Sequence, residues 1–429
     1  MKAQYARPVK WLRRAVGVGD GEVAALLWSF AYFFCLLTGY YILRPLRDEM
    51  GIAGGVANLP WLFTATFIAM LVAVPVFGFI VARFPRRTFV PLVYWFFIAN
   101  IVVFYGLFTL SDSTPIIARA FFVWVSLFNL FVVSVFWSFM ADIFRNEQGR
   151  RLFGFIAAGG SAGALLGPSL TAALAVPLGP TNLLPVSAFF LAAAVLCIHR
   201  LLAVTGPREE GHEPGARRDE AIGGGVFAGV TEVARSPYLI GICVYMVLYT
   251  TTSTFLYFEQ AHIVAGAFED AGERTRLFAL IDLAVGLLTL ATQCMFTGRM
   301  MVRFGVGAML AFVPALTLVG FLALAVAPGV ALIVAFQALR RAANFALSRP
   351  AREVLYTVVT PERKYKSKNF IDTVVYRGGD AASGWAFAGL AGLGLELAAI
   401  ALVAVPLAAL WIAVGIALGA RQERLADVI

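Results

Sequence analysis

Hydrophobic positions along this chain gather into twelve long runs separated by short polar breaks. They occupy residues 22–44, 58–82, 89–110, 116–142, 152–176, 183–203, 237–260, 277–298, 305–327, 329–348, 369–394 and 397–419. A helix needs about 20 apolar residues to cross roughly 30 Å of hydrocarbon. Within lipid, each backbone polar group must be satisfied inside its own segment, which a helix achieves. The pattern predicts an all-α integral membrane protein with twelve transmembrane helices.

The breaks are informative in turn. TGPREEGHEPGARRDEAIGGG (205–225) is polar and rich in Gly and Pro, and it divides the chain near its middle. The expected organisation is a basic segment (1–21), a six-helix bundle (22–203), a linker (204–236), a second six-helix bundle (237–419) and a tail (420–429). Basic residues concentrate in alternate breaks: Lys2 to Arg14, Arg83 to Arg87, Arg145 to Arg151, the linker, Arg299 and Arg303, Arg349 to Lys368, and Arg421 with Arg424. The opposite set holds only Arg44, Arg47, Arg119, Arg274 and Arg276. By the positive-inside rule both termini are expected in the cytoplasm, and the expected location is a bacterial inner membrane. The basic start, through Trp11, Leu12 and Val16, suits a helix lying on the inner membrane surface.

The two halves share landmarks. GFIVARFPRR follows the second run and GRMMVRFGVG follows the eighth, so Gly78, Arg83 and Phe84 recur as Gly298, Arg303 and Phe304. Gly159-Gly160 in the fifth run answers Gly378-Gly379 in the eleventh. Parallel repeats of this kind predict two pseudo-symmetric bundles, the architecture of a transporter. In the fifth run GGSAGALLGP spaces Gly159, Gly163 and Gly167 four residues apart, which lets helix backbones approach closely.

Composition agrees and narrows the chemistry. Of 429 residues 60% are hydrophobic and 14% charged, against about 25% charged in soluble domains. The net charge of +9 lies in the breaks, which argues for topology and against nucleic acid. Cys35, Cys197, Cys243 and Cys294 all lie within apolar runs, with neither disulfide nor metal spacing, and the three histidines are scattered. No nucleophile–base pair, Walker loop or metal cluster is visible, which argues against an enzyme, and no cofactor is implied.

Charges in or beside the apolar runs mark the candidate site, because each costs roughly 2.5–3.5 kcal/mol at a helix centre. YYILRPLRDEM (40–50) places Arg44, Arg47, Asp48 and Glu49 at the mouth of the first run. Here Arg44 and Arg47 read as an anion-attracting rim held or oriented by Asp48 and Glu49, or as an ordinary exit collar. Arg340 and Arg341 fall within the tenth run with Asn344 one turn on. The candidate substrate-binding residues are Arg44, Arg47, Asn129, Tyr257, Arg340, Arg341, Asn344 and Lys368. Coupling or gating candidates are Asp48, Glu259, Asp282, Asp142, Arg83, Arg151, Glu353, Asp372, Arg377 and Asp380. Arg377 and Asp380 stand at i,i+3, fit for a pair, and the mixed loops DIFRNEQGRR (142–151) and SRPAREVLYTVVTPERKYKSK (348–368) suit gating ion pairs.

GFIVARFPRR resembles the loop motif of the major facilitator superfamily: a glycine, an acidic residue, an arginine, a second glycine and a basic pair. Gly78, Arg83, Arg86 and Arg87 match, whereas Ala82 and Pro85 stand for the acidic residue and the second glycine. This resemblance implies the major facilitator fold, with the loop clamping one face through charge pairs. YYILRPLRDEM is also similar to the first-span ending of the ATP/ADP (NTP/NDP exchange) translocases of plastids and intracellular bacteria. Leu43, Arg44 and Asp48 match, with Arg47 in place of the family lysine. In the second half Pro350, Glu353, Tyr356, Lys368 and Asp372 match a further segment of that family, with Arg352 and Ser367 as departures. The resemblance implies nucleotide transport involving the positions of Arg47 and Lys368. The family's glutamates of the fourth and seventh spans have no counterpart in register; Asn129 and Glu259 lie nearest.

The expectation is a secondary active transporter that moves a small organic anion, nucleotide-like among the options, by alternating access, with a coupling proton or counter-substrate. Two alternatives stay open: a proton-coupled carrier of an uncharged or peptide-like solute using Glu259, Asp282 or Asp380, and a non-transporting scaffold or sensor.

Overall fold

A computed structural model describes residues 22–83, 86–111, 114–144, 146–205 and 228–427. The basic start with Trp11, Leu12 and Val16, the Phe84–Pro85 pair, Arg145 and residues 206–227 of the linker lie outside the described residues, as do the side chains of Gly78, Ala82, Arg86, Arg87 and Arg150.

The described chain is helical, and no strand occurs in it. The long helices are α1 (Glu22–Ala53), α2 (Leu59–Arg83), α3 (Arg86–Leu110), α4 (Thr114–Ile143), α5 (Asn146–Leu178), α6 (Leu183–Thr205), α7 (Pro237–Ala267), α8 (Ala271–Met295), α9 (Thr297–Val326), α10 (Val330–Ala343), α11 (Tyr376–Gly392) and α12 (Leu397–Ala426). Among the described residues eleven helical stretches are long and apolar enough to cross a membrane. The remaining run, the eleventh (369–394) around α11, continues a helix from Pro361–Phe370 through a π-helical turn at Ile371–Val375. Lys366, Lys368, Asp372, Arg377 and Asp380 lower its hydropathy.

Helices outlast the apolar runs that predict them. α1 runs to Ala53, so the charged YYILRPLRDEM is helix throughout, with Pro45 inside it. α7 begins at a Ser236 cap that accepts from the Leu239 amide, with Pro237 in the first turn, where its missing N–H costs nothing. α10 passes into a second π-helical turn at Asn344–Ser348 and then a helix at Arg349–Leu355. Such π turns often mark functional positions in helices.

Contacts divide the described chain into two compact units. The first takes its residues from Met1–Gly54, Ile68–His212 and Asp270–Leu283; the second takes them from Gly55–Phe67, Glu213–Glu269 and Ala284–Ile429. In the first, α1 packs against α4, α5 and α6. The GGSAGALLGP glycines make the α1–α5 contact: a Cβ on Gly163 would meet the Phe34 carbonyl and the Thr38 amide, and one on Gly160 would meet the Phe33 ring. Buried Tyr32, Phe121, Phe128 and Phe136 fill the interior, and Ser187 Oγ donates to the Gly39 carbonyl at 2.9 Å to tie α6 to α1. In the second unit α7 packs on α11 and α12, and α9 on α12 at Gly307 and Gly419. At Gly379, which the sequence repeat sets against Gly160, a Cβ would meet Thr250 of α7. Gly305, at φ +75°, breaks α9 near its start, a conformation that favours glycine. Large apolar side chains such as Leu92, Trp95, Phe96, Val102 and Val103 on α3 stay exposed, as lipid-facing positions require.

Candidate functional site

Charges at the end of α1 pair within the first unit, and not all as the sequence predicts. Asp48 does hold Arg47, accepting from its Nη2 at 2.6 Å and its Nε at 3.1 Å, while the guanidinium lies 5.2 Å from the Phe122 ring. Glu49 holds neither arginine of its own helix. It accepts two bonds from Arg274 of α8, each 2.7 Å long, with its side chain fully buried. Arg44 instead faces Asp282 of α8 at 3.6 Å, beyond hydrogen-bond length, and lies 5.7 Å from the Tyr41 ring. Arg44 and Asp48, four residues apart, lie on one face of α1, yet Asp48 is held by Arg47 and Arg44 meets Asp282, while Glu49, one residue on, turns to another side and reaches Arg274. Arg119 Nε donates to the Gly54 carbonyl at 2.8 Å, closing the end of α1. Asn129 is half-buried on α4.

Within the second unit, Arg340 is 1% exposed and surrounded by neutral groups. Its Nε donates to Thr317 Oγ1 at 3.0 Å, Nη1 to Ser253 Oγ at 3.1 Å, and Nη2 to Thr252 Oγ1 at 3.1 Å and the Tyr249 carbonyl at 3.5 Å. Aromatic faces complete the enclosure, with Tyr249 at 5.4 Å and Trp411 at 5.9 Å from the guanidinium carbon. Desolvating an ion costs several kcal/mol, and each hydrogen bond from a charged donor returns about 1.5–3 kcal/mol. Cation–π contacts add to this. These partners hold the side chain without cancelling its charge, since arginine stays protonated and no carboxylate is among them. One turn further, Asn344 Nδ2 donates to the Tyr249 hydroxyl at 3.2 Å, and the Tyr376 ring stands 5.9 Å from that of Tyr249. Asn344 belongs to one π turn and Tyr376 directly follows the other. Arg341 is half-buried and makes contacts of its own.

The remaining candidates lie elsewhere in the two units. Arg377 and Asp380 form the i,i+3 pair at 3.6 Å, and Thr254 Oγ1 donates to Asp380 at 3.3 Å. Tyr257 packs its ring 5.5 Å from Phe63. Glu259 is 1% exposed, and its Oε1 has no hydrogen-bond partner among the described residues. Lys368 pairs with Glu353 and lies over the Tyr356 ring, and Arg151 meets Glu22 at 3.4 Å. Asp142, Arg83 and Asp372 are exposed, the first two at helix ends and Asp372 in a π turn.

Sequence reasoning missed the residues that enclose Arg340. Their signal was available: YTTTST (249–254) is a run of hydroxyls in the middle of an apolar helix. Thr317 and Trp411, single residues on α9 and α12, carried no such signal. Arg274, counted only as a basic residue of a break, is the partner of Glu49.

Comparison with known proteins gives the lineage. The sequence profile of the Major Facilitator Superfamily matches residues 23–367. Similar solved structures include a mutant of the nucleoside transporter NupG, with TM-score 0.61 at 12% identity, covering 94% of this chain and 99% of that one. An auto-inhibited peptide transporter of the POT family gives TM-score 0.61 at 15% identity, with 93% and 96% covered. A bacterial homologue of the human lysosomal transporter Spinster, in an inward-facing and unoccupied conformation, gives 0.55 at 14%, with 94% and 98% covered. At these identities the likeness is one of fold. No curated protein sequence matches the chain.

Proposed function

The chain belongs to the major facilitator superfamily, and we propose that it is a secondary active transporter that moves an organic anion across the inner membrane by alternating access. One observation carries this reading: among the described residues Arg340, buried in the second unit, is held only by neutral hydroxyls, a backbone carbonyl and aromatic faces. At an effective dielectric near 20, a unit charge about 6 Å away is worth roughly 3 kcal/mol to an anion. A scaffold or sensor has no use for an uncancelled charge at membrane depth, where it costs stability.

Nucleotide-like anions are the finer reading. Support comes from the tyrosines beside the cation, Tyr249 and Tyr376, because aromatic faces stack on bases. The two basic positions similar to the translocase lysines, Arg47 and Lys368, are each bound to a carboxylate, Asp48 and Glu353. A phosphate would have to compete with these, so the broad anion class rests on Arg340 and not on them. A second reading, a proton-coupled carrier of an uncharged or peptide-like solute, draws on Glu259 and its unpartnered oxygen.

The test is a thermal-shift screen of purified protein over ADP, ATP, sugar phosphates, dicarboxylates and short peptides, repeated on Arg340→Gln. Stabilisation by an anion that disappears in the variant supports the reading. Stabilisation by peptides or uncharged solutes alone, indifferent to Arg340, refutes it.

A further inference from the structure

Arg340 raises a difficulty of its own. At 1% exposure its guanidinium presents no face to a ligand, so a transported anion needs an intermediary. The hydrogen bonds around it identify one. A hydroxyl has a single proton to donate. Thr317 Oγ1 gives its proton to the Val313 carbonyl at 2.7 Å, and Thr252 Oγ1 gives its own to the Leu248 carbonyl at 2.9 Å. Both therefore meet Arg340 only as acceptors, and both are fully buried. Tyr249 offers Arg340 a backbone carbonyl, which has no proton.

Ser253 differs on both counts. Its Oγ accepts from Arg340 Nη1 at 3.1 Å, and among the described residues its own proton has no acceptor. The residue is half-buried, not sealed. It is the middle member of a stripe of half-buried residues on α7, Tyr249, Ser253 and Tyr257, spaced four apart and thus on one helix face. Asn344 reaches the same stripe by donating to the Tyr249 hydroxyl. An oxygen that accepts a bond from a cation becomes a stronger donor through its own hydrogen, because chained hydrogen bonds polarise one another.

We propose that Ser253 is the hydrogen-bond donor through which Arg340 acts on the transported anion, its Oγ–H meeting a carboxylate or phosphate oxygen. The assignment rests on the anion reading above and adds to it the contact atom and the side of α7 where the anion lies. Arg340 is then a positioning residue that supplies charge, and Ser253 is the one that touches the ligand. The rest of the stripe supplies its surroundings.

Binding of ADP and of succinate to the full-length protein in nanodiscs tests this, with Ser253→Ala, Ser253→Thr, Thr252→Val and Arg340→Gln compared for affinity and for thermal stability without ligand. Loss of a hydrogen bond to a charged group predicts a ten- to hundredfold weaker dissociation constant, as an order of magnitude, for Ser253→Ala. Ser253→Thr, which keeps the hydroxyl, restores binding to within about threefold of wild type on the same scale. Adding Ser253→Ala to Arg340→Gln should cost little more than Arg340→Gln alone, because the two act as one unit. Thr252→Val removes an acceptor of Arg340 but no available proton, so it should lower stability and weaken the probes less than Ser253→Ala does. Equal losses from Thr252→Val and Ser253→Ala would mean that Ser253 merely supports Arg340, and the proposal falls. If Ser253→Ala binds as wild type while Arg340→Gln does not, the anion reading stands and the relay is wrong. If the Arg340→Gln protein also binds normally, or the wild type binds neither probe, the anion reading falls and takes the relay with it.

Discussion

Glu49 and Arg274, 225 residues apart in the chain, form a two-bond ion pair with both contacts at 2.7 Å and the carboxylate fully enclosed. The pair fastens the start of α8 to the end of α1, and Arg44 with Asp282 repeats the connection at 3.6 Å.

Enclosure sets the value of that pair. Removing one partner of a buried pair leaves an uncompensated charge and costs about 3–5 kcal/mol, whereas exposed pairs are worth about 0–1 kcal/mol. A double-mutant cycle on Glu49→Gln and Arg274→Gln, read by thermal unfolding, should give a large coupling. The same cycle on Glu22 and Arg151, the latter 43% exposed, should give almost none. Equal couplings would show that enclosure at Glu49 does not strengthen the pair.

Arg340→Lys is expected to behave as a damaging change despite keeping the charge. One ammonium cannot reach Thr317, Ser253 and Thr252 together, whereas the planar guanidinium spans all three. The variant should lose stability on the order of the hydrogen bonds forfeited, about 2 kcal/mol or more. An unfolding midpoint equal to wild type would mean that the three hydroxyls contribute nothing to holding the arginine.

The glycine spacing of α5 yields a paired test. At Gly163 any side chain meets the Phe34 carbonyl and Thr38 amide of α1, so Gly163→Leu forces the helices apart, at about 1–3 kcal/mol or more for overpacking. Correct membrane insertion with transport abolished is the expected phenotype. Gly154, where a Cβ meets nothing within 4 Å, should tolerate alanine and gain up to about 1 kcal/mol from helix propensity. Normal transport by Gly163→Leu would remove the close α1–α5 contact from the account.

Glu259→Gln removes a carboxylate whose Oε1 is buried without a hydrogen-bond partner among the described residues. Burying such a group uncompensated is costly, so the amide variant should unfold at the same temperature as wild type or higher. Destabilisation instead would reveal that the carboxylate has a partner in the folded protein. If the variant also loses movement of solute driven by a proton gradient in proteoliposomes while keeping its stability, the proton-coupled reading gains over simple anion exchange.

Twelve apolar runs, each close to the length a bilayer demands, were legible from the chain because lipid imposes a one-dimensional rule: about 20 apolar residues, in helix. The glycine spacing was legible for the same reason, since a four-residue period places small residues on one face whatever that face meets. Arg377 with Asp380 and Arg47 with Asp48 were within reach because their partners lie within one helical turn. Helix ends were not legible from hydropathy. YYILRPLRDEM is polar yet stays in α1 to Ala53, because hydrogen bonding along the backbone does not depend on side-chain polarity. Nor could sequence assign partners at long range. Glu49 pairs with Arg274 and Arg44 faces Asp282 because α8 covers that side of α1, and nothing local announces which helix will do so. The surroundings of Arg340 came from α7, α9 and α12 at once, by residues that are unremarkable singly. Composition and periodicity fix which segments cross the membrane; the packing of one helix against another decides which charges meet carboxylates and which, like Arg340, meet hydroxyls and aromatic rings.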